Sequence, residues 1–186
     1  MKTAFNLDNE RWMMSYYRSS ELAGALFFGR LAGVLPAGQL QNDITRHFAD
    51  ESMHAYYWTQ SLSDLGFKAD RIRDAYQDAY LEAMGVPANV MEILAVTKVF
   101  EERVLSQYQA HLAISNLHPV IEKTIRRIVD DEHFHVQWIN KTLKAMEADF
   151  GAAHIASTLN RLKTADEAVY QKTRQEHKER LAHIYK

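Results

Sequence analysis

An acidic residue and a histidine with helical spacing occur together in the stretch Asp131-Glu132-His133-Phe134-His135. Side chains three positions apart project from one face of a helix, so Glu132 and His135 could bind one metal ion. This spacing alone is weak evidence, because Glu and His are common in helices. However, the stretch Asp50-Glu51-Ser52-Met53-His54 carries the same Asp-Glu-x-x-His pattern. The repeat predicts two matching halves that share a site.

The composition predicts an all-α protein. Among 186 residues there are only 7 Gly and 3 Pro, which favours long helices over the many turns of a β protein. The chain is long enough for one domain with a substantial core. It has no Cys, which excludes disulfides, Cys-ligated zinc and iron–sulfur clusters.

Charge and hydropathy exclude further classes of protein. Residues Met1 to Asp8 lack a basic region followed by an apolar stretch, and the longest apolar run, Ala23 to Gly29, stops at Arg30. We therefore expect neither a signal peptide nor a membrane span, and a cytoplasmic location. A formal net charge of −2 argues against a nucleic-acid binder.

Apolar periodicity and helix breakers predict the elements that position these residues. Four long helices are expected at about residues 8–35, 37–65, 88–117 and 120–150, with Asp8 as the first N-cap. A crossover helix is expected at about 68–84. A C-terminal helix should cover about 152–186, broken near Thr164, where Thr164-Ala165-Asp166-Glu167 fits a capping box. This is the pattern of a four-helix bundle (about 8–150) made of two antiparallel hairpins, within a single domain spanning 1–186.

The first and third long helices should each add a carboxylate. Beyond the terminal turn at Glu10, the only acid of the first helix is Glu21. The third helix offers Glu92, Glu101 and Glu102. The interval from Glu102 to Glu132 matches that from Glu21 to Glu51, whereas Glu101 lies on the apolar stripe of its helix. We choose Glu101, because a loop can absorb a one-residue difference but a misplaced ligand faces the wrong way.

The candidate metal ligands are Glu21, Glu51, His54, Glu101, Glu132 and His135. One Glu from each of two helices and a Glu-x-x-His pair from each of the other two form the di-metal site of ferritin-like proteins. The sequence therefore resembles the ferritin-like di-iron carboxylate superfamily over about residues 8–150. Its Asp-Glu-x-x-His pairs are similar to those of bacterioferritins and rubrerythrins.

The resemblance implies a role for each residue and two Fe ions as the cofactor. Glu51 and Glu132 would bridge the ions. Glu21 and Glu101 would be terminal ligands, while His54 and His135 would each complete one ion. Asp50 and Asp131 would orient the histidine on the facing helix without binding metal. Mn or a mixed Mn/Fe pair is an alternative, because the same ligands suit both metals.

Departures from the family patterns narrow the function. The lack of Cys, and Val104 where rubrerythrins have an additional Glu, argue against rubrerythrin-type peroxide reduction. Ser52 stands where bacterioferritins carry their haem-ligating Met, which argues against haem. The crossover helix and the tail argue against a storage cage.

The favoured function is a di-iron oxidase or oxygenase that activates O2 to oxidise a small organic substrate, which could be apolar. Aldehyde-deformylating oxygenases have a similar architecture. A ferredoxin or reductase would supply electrons, and a homodimer is a compatible assembly. The alternatives are a ferroxidase, iron-handling or peroxide-detoxifying protein, and a metal-free binding or structural bundle.

Several other residues have a structural interpretation first. His47 and His111 are read as core histidines, and His133 should face outward. The aromatic residues Tyr17, Trp58, Tyr108 and Trp138 are read as core packing rather than redox groups. Gly24 and Ala25 could leave room for a substrate or allow close helix contact. An apolar cavity beside them would favour an organic substrate, and a packed wall would favour iron as the substrate.

Overall fold

The computed structural model describes residues 7–73, 76–182 and 184, and these ranges contain helices but no strand. The all-α prediction is therefore confirmed. The helices are α1 Leu7–Val34, α2 Gln39–Asp64, α3 Tyr76–Met84, α4 Val90–Leu112, α5 Pro119–Ala145, α6 Glu147–Phe150, α7 Ala152–Glu176 and α8 Lys178–Leu181.

The long helices α1, α2, α4 and α5 enclose a common interior. Arg18 Nε donates to Thr59 Oγ1 over 2.7 Å, while Gly29, later in α1, faces the earlier residue Phe48 of α2. Helices α1 and α2 are therefore antiparallel. Helices α2 and α5 also run antiparallel, with the Ser61 and Thr124 hydroxyls 2.7 Å apart at one end.

Local chemistry fixes where helices α4 and α5 begin. Asn89 accepts a hydrogen bond from the Glu92 backbone N–H, and the Glu92 carboxylate accepts one from the Ala88 N–H. These reciprocal bonds satisfy two N–H groups that would otherwise lack partners. Pro119 opens α5, at a position where the missing N–H costs nothing.

Helices α3 and α7 cover the outer side of α4. Tyr80 of α3 donates from its hydroxyl to the Val96 carbonyl over 2.9 Å, and Arg103 of α4 binds Asp166 of α7. The C-terminal helix is thus packed on the rest of the protein.

Several predicted boundaries are wrong. Residues 67–72 are not helical, and the crossover helix begins at Tyr76. Helix α4 ends at Leu112, before a turn in which Asn116 adopts a positive φ of 72°. Helix α7 continues through Thr164, whose hydroxyl donates to the Asn160 carbonyl. Glu167, the other capping residue of the predicted box, accepts hydrogen bonds from Arg103 and Gln171 instead of from a backbone N–H.

Two predictions concern the ends of the chain. Asp8 lies within the first turn of α1, which already includes Leu7, so it is not the N-cap. The prediction of helix at residues 183, 185 and 186 lies outside the described residues. No helix in the described ranges has the length and apolar character needed to cross a bilayer.

Candidate metal centre

The six ligand candidates meet inside the bundle formed by α1, α2, α4 and α5. All are buried, with at most 3% of their surface exposed. Glu101 faces this interior, whereas Glu102 points outward and binds Lys98 and Lys163. The apolar stripe therefore predicted which of the two glutamates faces the interior, and the sequence interval did not.

The ligand atoms form two groups, within each of which they lie no more than 4.8 Å apart. We call them the first and second positions. The first position is made of His47, Glu51, Glu101 and His135. The second position is made of Glu21, Glu51, His54 and Glu132. Glu51 belongs to both, which suits the bridging role that the resemblance implies.

Glu132 lies between the two predicted histidine ligands. Its Oε1 is 3.3 Å from His54 Nδ1, and its Oε2 is 3.3 Å from His135 Nδ1. Glu51 Oε1 lies 3.8 Å and 3.7 Å from the same two nitrogens. Both carboxylates therefore stand where they could contact two ions at once.

Each of these histidines is held by an aspartate of the facing helix. His54 Nε2 lies 3.3 Å from Asp131 Oδ2, and His135 Nε2 lies 3.3 Å from Asp50 Oδ2. An ionised carboxylate can only accept, so each Nε2 must carry the proton and donate. In the neutral form of each ring, which metal binding requires, the inward-facing Nδ1 then has a lone pair for a metal.

The carboxyl groups differ in their protonation. Burial raises the pKa of Glu51, as do the nearby charges of Glu21 and Glu132. Burial and the Glu132 charge likewise raise the pKa of Glu101. Burial also disfavours ionisation of Glu132, but hydrogen bonds to His135 and His54 outweigh it and hold its pKa well below the usual value. Without metal, protons therefore compete for this site.

Unpartnered polar atoms indicate that the site fits metal ions. Buried atoms without a hydrogen-bond partner among the described residues include Glu51 Oε1, Glu101 Oε1, Glu132 Oε1 and His54 Nδ1. Leaving such atoms unsatisfied is costly, and cations would satisfy all of them. Carboxylates with imidazoles are also a donor set suited to iron or manganese.

His47 joins the cluster although we had read it as a core histidine. Its Nε2 lies 3.1 Å from Glu101 Oε1 and 3.5 Å from Glu51 Oε1. Burial, followed by the charge of His135, lowers its pKa well below the usual value, so the ring is neutral. The sequence held a signal, since His47, Glu51 and His54 lie on one stripe of α2.

A group of buried polar aromatic residues lies beside the second position. Tyr108 donates from its hydroxyl to Glu21 Oε1 and accepts a hydrogen bond from Trp58 Nε1 over 3.0 Å. The Tyr17 ring lies against Tyr108, with centroids 4.8 Å apart, and its hydroxyl is 3.2 Å from His111 Nδ1. These aromatic residues therefore pack in the core, and Tyr108 also hydrogen-bonds to a candidate ligand.

The same buried group reaches a carboxylate that we had set aside. His111 Nε2 lies 3.3 Å from Glu10 Oε2, and Glu10 is only 2% exposed. Glu10 lies in the first turns of α1, yet its carboxylate faces His111 of α4 in the interior.

The space beside Gly24 is filled by protein. A Cβ at Gly24 would collide with Glu51 Oε2, so this glycine makes room for a ligand. A nearby cavity lined by Phe28, Gln77, Tyr80 and Thr97, among others, has a volume of about 20 Å³. That is room for about one water molecule, far below the size of a typical small-molecule pocket.

Comparisons with known proteins do not place the chain in a family. No protein-family model, no curated protein and no solved structure matches it.

Proposed function

We propose that this chain is a di-iron carboxylate oxidoreductase with a ferritin-like bundle, and that it uses O2 to oxidise a small organic substrate. The observation that carries the proposal is the buried cluster of four carboxylates and imidazoles, several of whose inward-facing atoms lack a partner. A buried cluster of this kind with only a structural role would lower the free energy of unfolding, and no bound ion would offset that cost.

The donor set supports iron, with manganese or a mixed pair as the alternative. Four carboxylates offset most of the charge of two divalent cations, and neutral imidazoles add ligands without further charge. When bound, the ions would supply the redox electrons and the site for O2. Asp50 and Asp131 would hold the ligand imidazoles in the metal-binding tautomer.

The surroundings of the site would exclude water from it. Phe28 covers one face of His47, with ring centroids 3.8 Å apart. Tyr108 donates a hydrogen bond to Glu21 and would fix the orientation of that carboxylate. The chain has no Cys, so electrons would come from a separate ferredoxin or reductase.

The small cavity beside the site is lined mainly by apolar side chains, including Phe27, Leu81, Val96 and Phe100. This lining suits an apolar substrate or O2. At about 20 Å³ it holds neither a ring nor a chain, so an organic substrate would enter only when the side chains between α1, α3 and α4 move apart.

The same small volume favours a second candidate function, in which Fe(II) itself is the substrate of a ferroxidase. A packed wall admits ions and O2 but not a larger molecule. The two candidates share the metal centre and differ in what is oxidised there.

Anaerobic titration with Fe(II) tests the centre that both candidates need. We expect the wild-type chain to bind two ions, and Glu101→Ala to bind fewer. Glu102→Ala is the matched control, because its side chain faces outward and should leave the stoichiometry unchanged. Binding of no more than one ion by the wild-type chain, or unchanged binding by Glu101→Ala, would refute the proposal.

Mixing the loaded protein with O2 and excess Fe(II) separates the two candidates. An oxygenase would oxidise only its resident pair and would need an added reductant to continue. A ferroxidase would consume Fe(II) far beyond two ions per chain without any organic molecule.

A further inference from the structure

His47 is the one member of the first position that is not among the six ligands predicted from the sequence. Its side chain is fully buried, and neither ring nitrogen has a hydrogen-bond partner among the described residues. Buried imidazoles almost always satisfy at least one nitrogen. An unsatisfied His47 therefore requires a ligand that the protein itself does not provide.

The ring of His47 is held firmly and points toward the carboxylates. It is stacked between Phe28 and His135, with ring centroids 3.8 Å and 3.7 Å away. Its Nε2 lies 3.1 Å from Glu101 Oε1 and 3.5 Å from Glu51 Oε1, without the alignment of a hydrogen bond. One ion with ligand distances of about 2.0–2.2 Å can be shared by atoms this close.

We propose that His47 is a seventh ligand of the metal centre, with its Nε2 bound to the ion at the first position. This inference rests on the proposed di-metal centre and adds that the two ions have different sets of ligands. The first position then has two imidazoles, from His47 and His135. The second has one, from His54.

The two halves of the internal repeat differ in sequence at the position of His47. His47 precedes Glu51 by four residues, and the residue four before Glu132 is Ile128. Ile128 is a fully buried apolar side chain that cannot bind metal. The two halves therefore match in their Glu-x-x-His pairs and differ at the position one helical turn earlier.

The consequence is that the two ions bind with different strength. Imidazole is a stronger ligand for late divalent ions than water, so the first position should fill first. When Glu51 and Glu132 contact both ions, the second position has one protein ligand fewer than the first. It should therefore keep more of its coordination sites open. External ligands are therefore expected to reach the ion next to His54.

Titration of the metal-free protein with Co(II), followed by visible and X-ray absorption, tests this proposal without any turnover. For the wild-type chain we expect two separate binding steps, and two imidazoles per ion at one equivalent of Co(II). His47→Leu keeps an apolar side chain between Phe28 and His135. It should weaken the first step by about 10–100-fold and leave the second step unchanged.

Phe28→Leu is the matched control, because it alters the same stack without removing a donor atom. It should leave both Co(II) affinities within about twofold of wild type. For His47→Ala, free imidazole should restore the tight step, which it would not do for a residue that only packs. One imidazole per ion in the wild-type chain at one equivalent would overturn the proposal even if a variant fails to fold.

The outcomes also separate this proposal from the di-metal centre itself. If wild type binds two ions and His47→Leu binds them with unchanged affinities, His47 is a packing residue and the di-metal centre stands. If wild type binds fewer than two ions, both proposals fail.

Discussion

At the scale of single residues, a steric constraint at the candidate metal centre falls on Gly24. The absence of a side chain there gives the Glu51 carboxylate its space between α1 and α2. Gln77 lies on the other side of the same gap. A glycine in the middle of a helix lowers stability relative to alanine, so its presence needs a reason of this kind.

Gly24→Ala should displace the Glu51 carboxylate and weaken binding of both ions, because Glu51 belongs to both positions. We expect a loss of at least about tenfold in Co(II) affinity, measured by titration, in a protein that still folds. Gly33→Ala in the same helix is the control. Its added Cβ meets nothing within 4 Å, so helix propensity should leave it neutral or slightly more stable. Equal metal affinities in the two variants would show that Gly24 has no role at the site.

Residue types and helical spacing identified six side chains that lie together in the structure. They could not separate His47 from an ordinary core histidine, because both kinds of residue lie on the inward stripe. The interactions of Tyr108 with Glu21 and of Glu10 with His111 join residues far apart in sequence. They depend on how α1 and α4 approach each other, which periodicity within one helix does not contain.

At the scale of elements, α7 is tied to the bundle by one buried carboxylate. Asp166 accepts hydrogen bonds from Arg103 at 2.5 Å and 3.0 Å, and also from the Tyr76 hydroxyl. Arg103 in turn lies over the Tyr170 ring, 3.9 Å from its centroid. Helices α3, α4 and α7 are thus linked through one acidic side chain.

Asp166→Ala should lower the free energy of unfolding by about 3 kcal/mol, because it leaves the half-buried Arg103 without its main partner. For a chain of this length, that corresponds to a fall in Tm of about 6–12 °C. Glu167→Ala is the matched control, since Glu167 also binds Arg103 but its side chain is 53% exposed, against 6% for Asp166. Its cost should stay below about 1 kcal/mol. Thermal unfolding measures both, and equal costs would contradict the buried link.

Element boundaries were predicted best where a local breaker acts. Gly66, Gly85 and Gly151 adopt positive φ values just outside helices, where the sequence placed the ends of α2, α3 and α6. The predicted break at Thr164 is wrong because both capping side chains have other partners. The Thr164 hydroxyl donates to the Asn160 carbonyl one turn earlier, and Glu167 binds Arg103 of α4. Tertiary contact overrides a capping pattern in such a case.

At the scale of the whole molecule, the metal-free protein keeps several ionisable groups in its interior. Burial and neighbouring carboxylates raise the pKa of Glu51 and Glu101. Burial alone would lower the pKa of His54 and His135, but their hydrogen bonds to carboxylates outweigh it and raise both. Each of these four ligands must lose its proton before it can bind a metal ion.

The stability gained from metal should therefore grow as the pH rises. The four groups with raised pKa values bind more protons folded than unfolded, so their contribution to the stability of the metal-free protein falls as the pH rises. His47, whose pKa is lowered, contributes the opposite slope near its unfolded pKa of about 6.5, but it is one group against four. The metal affinity rises over the same pH range, because fewer protons compete for the ligands. Above about pH 5 Glu132, whose pKa is lowered, is ionised in both states and adds no slope.

We expect the Tm difference between Co(II)-loaded and chelator-treated protein to widen from about pH 5.5 to 8. With metal at 100 times its Kd, one bound ion raises the free energy of unfolding by about 2.7 kcal/mol. Differential scanning calorimetry at several pH values measures it, with Glu101→Ala as the metal-deficient control. A Tm difference that narrows as the pH rises would contradict the protonation of these ligands.

The paired contacts Asp50–His135 and Asp131–His54 have the same length, 3.3 Å, and each joins α2 to α5. Such reciprocity is the mark of an isologous interface, as in a symmetric dimer, here contained within one chain. Each half of the chain orients the histidine that the other half contributes. Loss of either aspartate should therefore affect the histidine of the opposite half, whereas the two halves differ at His47 and Ile128 and still keep this exchange.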